Sequence, residues 1–186
     1  PALNALAQRI TYASVDDTPA ASITMDMTFN DNGNYGSGGA QTVTDSTTVS
    51  ITSVNDAPTF AGLDGSTYLE NAAATIIDST VVIADVDAVD FNLGSLTIGI
   101  AETADDATDV LSIVPEGDGV GQIGASGGNV RYGGTMIGTF MGGTGGSDLS
   151  ITFNSDATID AINALAQQIG FSSSSDGPTA NSSTRT

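Results

Sequence analysis

One nine-residue segment occurs twice in this chain, and that repetition constrains the fold more than any other feature. Ala2-Leu-Asn-Ala-Leu-Ala-Gln-Arg-Ile10 returns as Ala161-Ile-Asn-Ala-Leu-Ala-Gln-Gln-Ile169, with seven identities in nine ungapped positions. Beyond it, Tyr12, Ser14, Asp17 and Pro19 stand opposite Phe171, Ser173, Asp176 and Pro178 at the same offset of 159 residues. Self-similarity at a fixed period is the signature of a tandem architecture. The 186 residues thus read as one period plus 27 residues, starting and stopping inside a unit. The natural boundary is Val54-Asn55-Asp56-Ala57-Pro58, because Pro58 has no amide donor and biases Ala57 toward extended backbone. Residues 1–57 are expected to be the C-terminal part of one repeat. Residues 58–186 are expected to be most of the following repeat, short of its last strands. Pro1 begins in mid-pattern, so a secretion signal would lie outside this sequence.

Within this frame the pattern is mostly that of strands. Residues 158–169 space Ile159, Ile162, Leu165, Ala166 and Ile169 as one face of a helix, with Thr158 placed as N-cap, and residues 2–10 are its counterpart. Ile23, Met25, Met27 and Phe29 alternate with Thr24, Asp26 and Thr28, the period of a half-buried strand. A turn over Asp31-Asn32-Gly33-Asn34 separates it from a strand over Thr42–Ile51. In the second unit, strands are predicted over Thr75–Ile83, Leu96–Ile100, Val110–Val114, near Ile123, at Val130–Tyr132, over Met136–Phe140 and over Leu149–Phe153. Many short strands at regular spacing with one helix per repeat predict an all-β, antiparallel sandwich. The Gly142–Gly146 run precedes no helix, so it reads as a hairpin turn and not as a phosphate cradle.

Composition removes whole classes of chemistry. Three cationic residues (Arg9, Arg131 and Arg185) face 22 acidic ones, for a net charge of -19. Such a surface repels nucleic acid and anionic membranes. The carboxylates serve solubility or attract divalent cations, and composition alone does not choose between the two. The chain has no His and no Cys. Zinc sites of the usual kind, disulfides, and Ser–His–Asp or Cys–His catalysis are therefore unavailable. Without Lys, a Lys–Asn isopeptide cross-link is also impossible. No apolar run reaches the length needed to cross a membrane as a helix. An enzyme is not expected. Paired carboxylates can hydrolyse glycosides, but the aromatic platform that holds a sugar has no counterpart here.

The informative acids lie around the linker: Asn55 and Asp56 within it, Glu70 after the first strand, and Asp85, Asp87 and Asp90 in Ala84-Asp-Val-Asp-Ala-Val-Asp90. Asp85 and Asp87, two residues apart, can turn to one side of a loop. Calcium takes six to eight oxygens, and carboxylates with an Asn or backbone carbonyls supply them. Asx turns account for the same two residues equally well. A second acidic stretch, Glu102, Asp105, Asp106 and Asp109, offers the same chemistry for another site, but reads better as a solvated loop.

Pro58-Thr-Phe60, Tyr68-Leu-Glu70-Asn71, Val82-Ile-Ala-Asp85-Val-Asp87 and Leu96-Thr-Ile-Gly-Ile100, in that order, resemble the opening of a cadherin repeat. The chain as a whole is similar to the long cadherin-like repeats of giant bacterial surface proteins and RTX-type adhesins. Those repeats end in Val-Asn-Asp-Ala-Pro, as at 54–58, and carry Gly-Thr-Phe, as at 138–140, before a Leu-x-Ile-Thr-Phe strand. The resemblance implies a Greek-key, cadherin- or immunoglobulin-like sandwich at the bacterial cell surface. It implies calcium between successive repeats, held by Glu70, Asp85, Asp87, Asn55 and Asp56, with Asp31 in Phe29-Asn-Asp31-Asn-Gly33 contributed by the preceding repeat. The acid that cadherins place before that strand has no clear counterpart; Asp16 or Asp17 is the nearest.

The expected function is that of a structural extender repeat in a secreted or surface adhesin or extracellular fibre, with calcium-stiffened junctions. Its partners would be neighbouring repeats or head-to-tail copies. The alternative is a module that binds surface polysaccharide or a like repeat on another cell. That reading needs a recognition patch, and Tyr12, Tyr35, Tyr68 and Tyr132 are scattered along the sequence.

Overall fold

Alternation of apolar and polar residues over 22–30, and a Thr- and Val-rich run over 42–50, produce the first sheet, a pair of nine-residue strands, β1 (Ser22–Asn30) and β2 (Thr42–Ser50). They pair antiparallel without a register shift, from Ser22 opposite Ser50 to Asn30 opposite Thr42. The computed structural model describes residues 2–33, 36–88, 90–101 and 107–175. The chain divides into two compact units, Pro1–Asp56 and Ala57–Thr186.

In the first unit, the two-residue period gives the ribbon two unlike faces. Ile23, Met25, Met27 and Phe29 share one face with Val43 and Val49, and Asp45 and Thr47 complete it. The other face is almost all Ser, Thr and Asn. There the hydroxyls of Thr28 and Thr44 lie 3.1 Å apart, and Asn30 Nδ2 donates to Thr42 Oγ1 at 2.7 Å. Helix α1 (Ala2–Ala7) precedes the ribbon and buries none of its residues.

The second unit is an all-β antiparallel sandwich with one helix. Its strands are β3 (Thr59–Ala61), β4 (Thr75–Ile76), β5 (Val82–Ala84), β6 (Ser95–Ile98), β7 (Asp109–Ile113) and β8 (Ile123–Ser126). After them come β9 (Asn129–Tyr132), β10 (Thr135–Gly142), β11 (Leu149–Phe153), helix α2 (Ile159–Ala166) and β12 (Ile169–Ser173). One sheet has the order β6-β11-β10-β9-β8, a second β4-β12-β7, and β3 pairs with β5 alone. Inward residues of the sheets and α2, among them Leu111, Ile113, Ile123, Val130, Ile137, Ile151, Ile162 and Leu165, form one hydrophobic core. The β9–β10 hairpin turns on Gly133 and Gly134, both at positive φ (57° and 82°). That is the geometry a tight two-residue hairpin requires and only glycine adopts freely.

Thr158 caps α2 as the sequence predicts, its side chain accepting from the Ala161 amide at 3.3 Å. The helix is shorter than the predicted 158–169, because Ile169 already belongs to β12. Its polar residues dock it onto β5. Asn163 Oδ1 accepts from the Ile83 amide at 2.6 Å, Asn163 Nδ2 donates to the Ile83 carbonyl at 3.0 Å, and Gln167 Nε2 donates to the Val81 carbonyl at 2.9 Å. The side of β5 away from β3 is thus satisfied by helix side chains instead of a strand. Tyr68 locks the adjoining segment: its ring meets Phe171 edge-on at 5.2 Å, and its hydroxyl lies 3.1 Å from the carbonyls of Ala72 and Ser173.

Two expectations need correction here. The predicted strand Thr75–Ile83 is broken into β4 and β5 by a turn at Asp78. Buried Asp78 accepts from the amides of Thr80 and Val81 and from the Thr80 hydroxyl through Oδ1, and from the Asp64 amide through Oδ2. A carboxylate that binds its own backbone in this way competes with the sheet ladder. Second, Asp109 is not in a solvated loop. It is 2% exposed, the first inward residue of β7, in phase with Leu111 and Ile113. Glu102, Asp105 and Asp106 lie outside the described residues.

The amides of Asp64 and then Thr80 hold the Asp78 carboxyl below the usual aspartate range. The stabilisation is fully present above the unfolded value of about 3.9 and is lost as pH falls through the lowered folded value. Asp78→Asn should therefore melt below the wild type at pH 7. The gap should close once the solution is acidic enough to protonate the native Asp78. A gap unchanged down to pH 2 in parallel thermal melts would assign the effect to shape instead of charge.

Candidate functional site

Asp85 and Asp87 are positioned by β3 and β5. β3 starts at Thr59, opposite Ala84 in register, and Thr59 Oγ1 donates to the Ala84 carbonyl at 3.3 Å. The strand after the linker therefore begins beside the end of β5, and the next two acids along the chain are Asp85 and Asp87. Both are half-buried in the turn after β5. Asp85 Oδ1 accepts from the amides of Asp87 and Ala88 at 3.3 and 3.2 Å. The Asx turn and the cation reading are thus compatible, because this turn brings two carboxylate-bearing residues close together. Asp90 makes a separate turn, accepting from the Asn92 amide at 2.9 Å, and stays exposed.

Glu70 is exposed, in a turn with Asn71, whose φ is 60°. Among the described residues, no three acidic side chains draw together into a metal-sized group. In the first unit, Asn55 and Asp56 are exposed, outside any helix or strand, and Asn55 Nδ2 donates to the Asp56 carbonyl at 2.8 Å. Asp31 comes directly after β1. Its Oδ1 accepts from the amides of Gln41 and Gly33 at 2.8 and 2.9 Å, which closes the loop between β1 and β2. The same two bonds hold its carboxyl below the usual aspartate range.

The donor chemistry fits a hard cation. Every named side chain offers oxygen, and no thiolate or imidazole exists in the chain to favour a softer metal. Asp85 and Asp87 supply part of a coordination shell, and the rest has to come from outside that turn.

Sequence reasoning missed Asp78 and Asp109 as buried carboxylates. Asp78-Ser-Thr80 carries a local Asx signal that marks it. Asp109 carries none beyond its phase with Leu111 and Ile113. Of the tyrosines considered for recognition, Tyr68 is engaged with Phe171 and the backbone, Tyr132 is half-buried in β9, and Tyr35 lies outside the described residues. No described helix is long and apolar enough to cross a membrane.

The architecture places the second unit among all-β antiparallel sandwiches. No family model matches the chain, and no curated protein or solved structure matches it either.

Proposed function

We propose that this chain is a structural extender: a cadherin-like, Greek-key repeat of an extracellular adhesin or fibre on a bacterial surface, joined to its neighbours at calcium-stiffened linkers. The observation that carries the tandem reading is the fate of the repeated segment. Its identities are docking residues. In the second copy Ala161, Leu165, Ala166 and Ile169 are buried in the core, while Asn163 bonds the β5 backbone at Ile83 and Gln167 the Val81 carbonyl just before it. The first copy keeps the same set at Ala2, Asn4, Leu6, Ala7, Gln8 and Ile10. A segment that keeps these six contact residues, with Leu3 in the place of buried Ile162, is suited to dock onto a sandwich of the same kind.

Calcium is supported by the placement of Asp85 and Asp87 beside the strand that leaves the linker. Asp56 precedes Thr59 by three residues, a reach of about 10 Å at most. Asn55, Asp56, Glu70 and, from the preceding repeat, Asp31 would complete the oxygen set. A divalent ion there offsets the mutual repulsion of the carboxylates and resists bending of the linker.

Calorimetric titration tests this assignment. Asp87→Ala should weaken calcium binding by at least about tenfold, as loss of a charged ligand does. Asp106→Ala, at a residue outside the proposed ligand set, should leave it within about twofold. Equal effects of the two substitutions would move the ion to the 102–109 stretch.

A further inference from the structure

We infer that Asn32 is a site of spontaneous covalent modification, where its side-chain amide is lost by ring closure onto the Gly33 nitrogen, and that Asp31 restrains the reaction in the folded chain. The inference rests neither on the tandem reading nor on calcium.

Asn32 and Gly33 lie in the loop that joins β1 to β2, both at positive φ, 55° and 63°. The loop selects both residue types. A Cβ on Gly33 would come within 2.8 Å of the Ala40 nitrogen and the Gly39 carbonyl carbon, so the returning arm of the loop leaves room only for glycine. At the left-handed position before it, Asn and Asp are the side chains best tolerated. The turn thus brings together an asparagine and a successor with no side chain to shield its nitrogen from the carboxamide. Asn32 is exposed, and of the asparagines in the chain it alone precedes a glycine. Asn154, followed by the small Ser155, has its carboxamide held: Nδ2 donates to the Met136 carbonyl at 2.9 Å, and Oδ1 accepts from the Asp156 amide at 2.9 Å.

The chemistry needs only water. The Gly33 nitrogen attacks Asn32 Cγ. A new C–N bond forms, the Cγ–Nδ2 bond breaks, and the Gly33 amide proton leaves with Nδ2 as ammonia. The five-membered imide then takes up one water at either carbonyl and opens to an aspartyl or an isoaspartyl residue. In the folded chain the Gly33 amide donates to Asp31 Oδ1 at 2.9 Å, and the Gln41 amide fixes the same oxygen at 2.8 Å. The nitrogen becomes a nucleophile only on giving up its proton. The carboxylate holds that proton and repels the negative charge its departure leaves. The two products differ in consequence. An aspartyl residue suits the left-handed position and places a second carboxylate beside Asp31. An isoaspartyl residue adds a carbon to the backbone, where Gly39 and Ala40 already fill the space beside Gly33.

Peptide mapping by mass spectrometry tests the proposal on the full chain, incubated in weakly alkaline buffer with and without guanidinium. Asn32 should be the first asparagine converted in both. Conversion should be about tenfold slower in native buffer than in denaturant, the factor that one hydrogen bond to a charged acceptor supplies. Asp31→Ala should remove most of that difference, with hydrogen exchange over Ser22–Asn30 reporting whether β1 stays paired. Asp31→Asn keeps an oxygen acceptor without the charge and should fall between the two, so the restraint is read even where Asp31→Ala opens the ribbon. Conversion of another asparagine before Asn32, equal rates in native and denaturing buffer, or an Asp31→Asn variant no faster than the wild type would each overturn the proposal.

Discussion

Leu165→Ala should destabilise the second unit by about 2–5 kcal/mol, the range for deleting a fully buried leucine side chain. Leu6→Ala, the same position of the repeat, should cost within about 0.5 kcal/mol. Leu165 is 0% exposed in the core, whereas Leu6 is 67% exposed on α1. For a unit of this size the first change corresponds to a fall in melting temperature on the order of 10 °C. Comparable losses in denaturant titrations of the two variants would mean that α1 is docked in solution as α2 is. The contrast is informative because chemistry and local sequence are held nearly constant, and only the surroundings differ.

Calcium should raise the melting temperature of the chain, and chelator should lower it. An ion that binds only the folded form adds about 2.7 kcal/mol when its free concentration is 100 times its dissociation constant. Without it, the proposed ligands Asp56, Glu70, Asp85 and Asp87 keep their like charges, in a chain of net charge -19 with few cations to balance them. Magnesium should do less at equal concentration, because its smaller, strictly octahedral shell is poorly served by carboxylates on separate turns. Differential scanning calorimetry in calcium, magnesium and chelator checks the order. Equal melting in all three would leave calcium no part in the stability of the chain.

Much of this fold is legible in the sequence because its signals are local. The period-two alternation over 22–30, the N-cap Thr158 before an apolar helical face, and the Gly133-Gly134 turn each depend on a few neighbouring residues. The features that escaped reading are non-local or compete with the local pattern. Thr75–Ile83 has strand composition, but four bonds to one carboxylate outweigh the ladder it would have made. The Tyr68–Phe171 contact joins residues about a hundred positions apart, and nothing in either segment announces the other. Asp109 entered the core on the phase of β7 alone, which composition would have argued against. The candidate site divides in the same way. Asp85 and Asp87 could be paired from their spacing, because a turn acts over two residues. Whether Glu70 joins them depends on how its own turn packs, which spacing does not encode.

Small-angle scattering of the full chain reads the junction itself. It is to be recorded in millimolar calcium and again in excess chelator, at concentrations low enough to keep single copies apart. A calcium-stiffened linker predicts one well-defined elongated particle in calcium. In chelator it predicts a broader distance distribution and a changed radius of gyration, reversed when calcium is restored. Superimposable curves in the two conditions would contradict the claim that calcium sets the geometry of the junction.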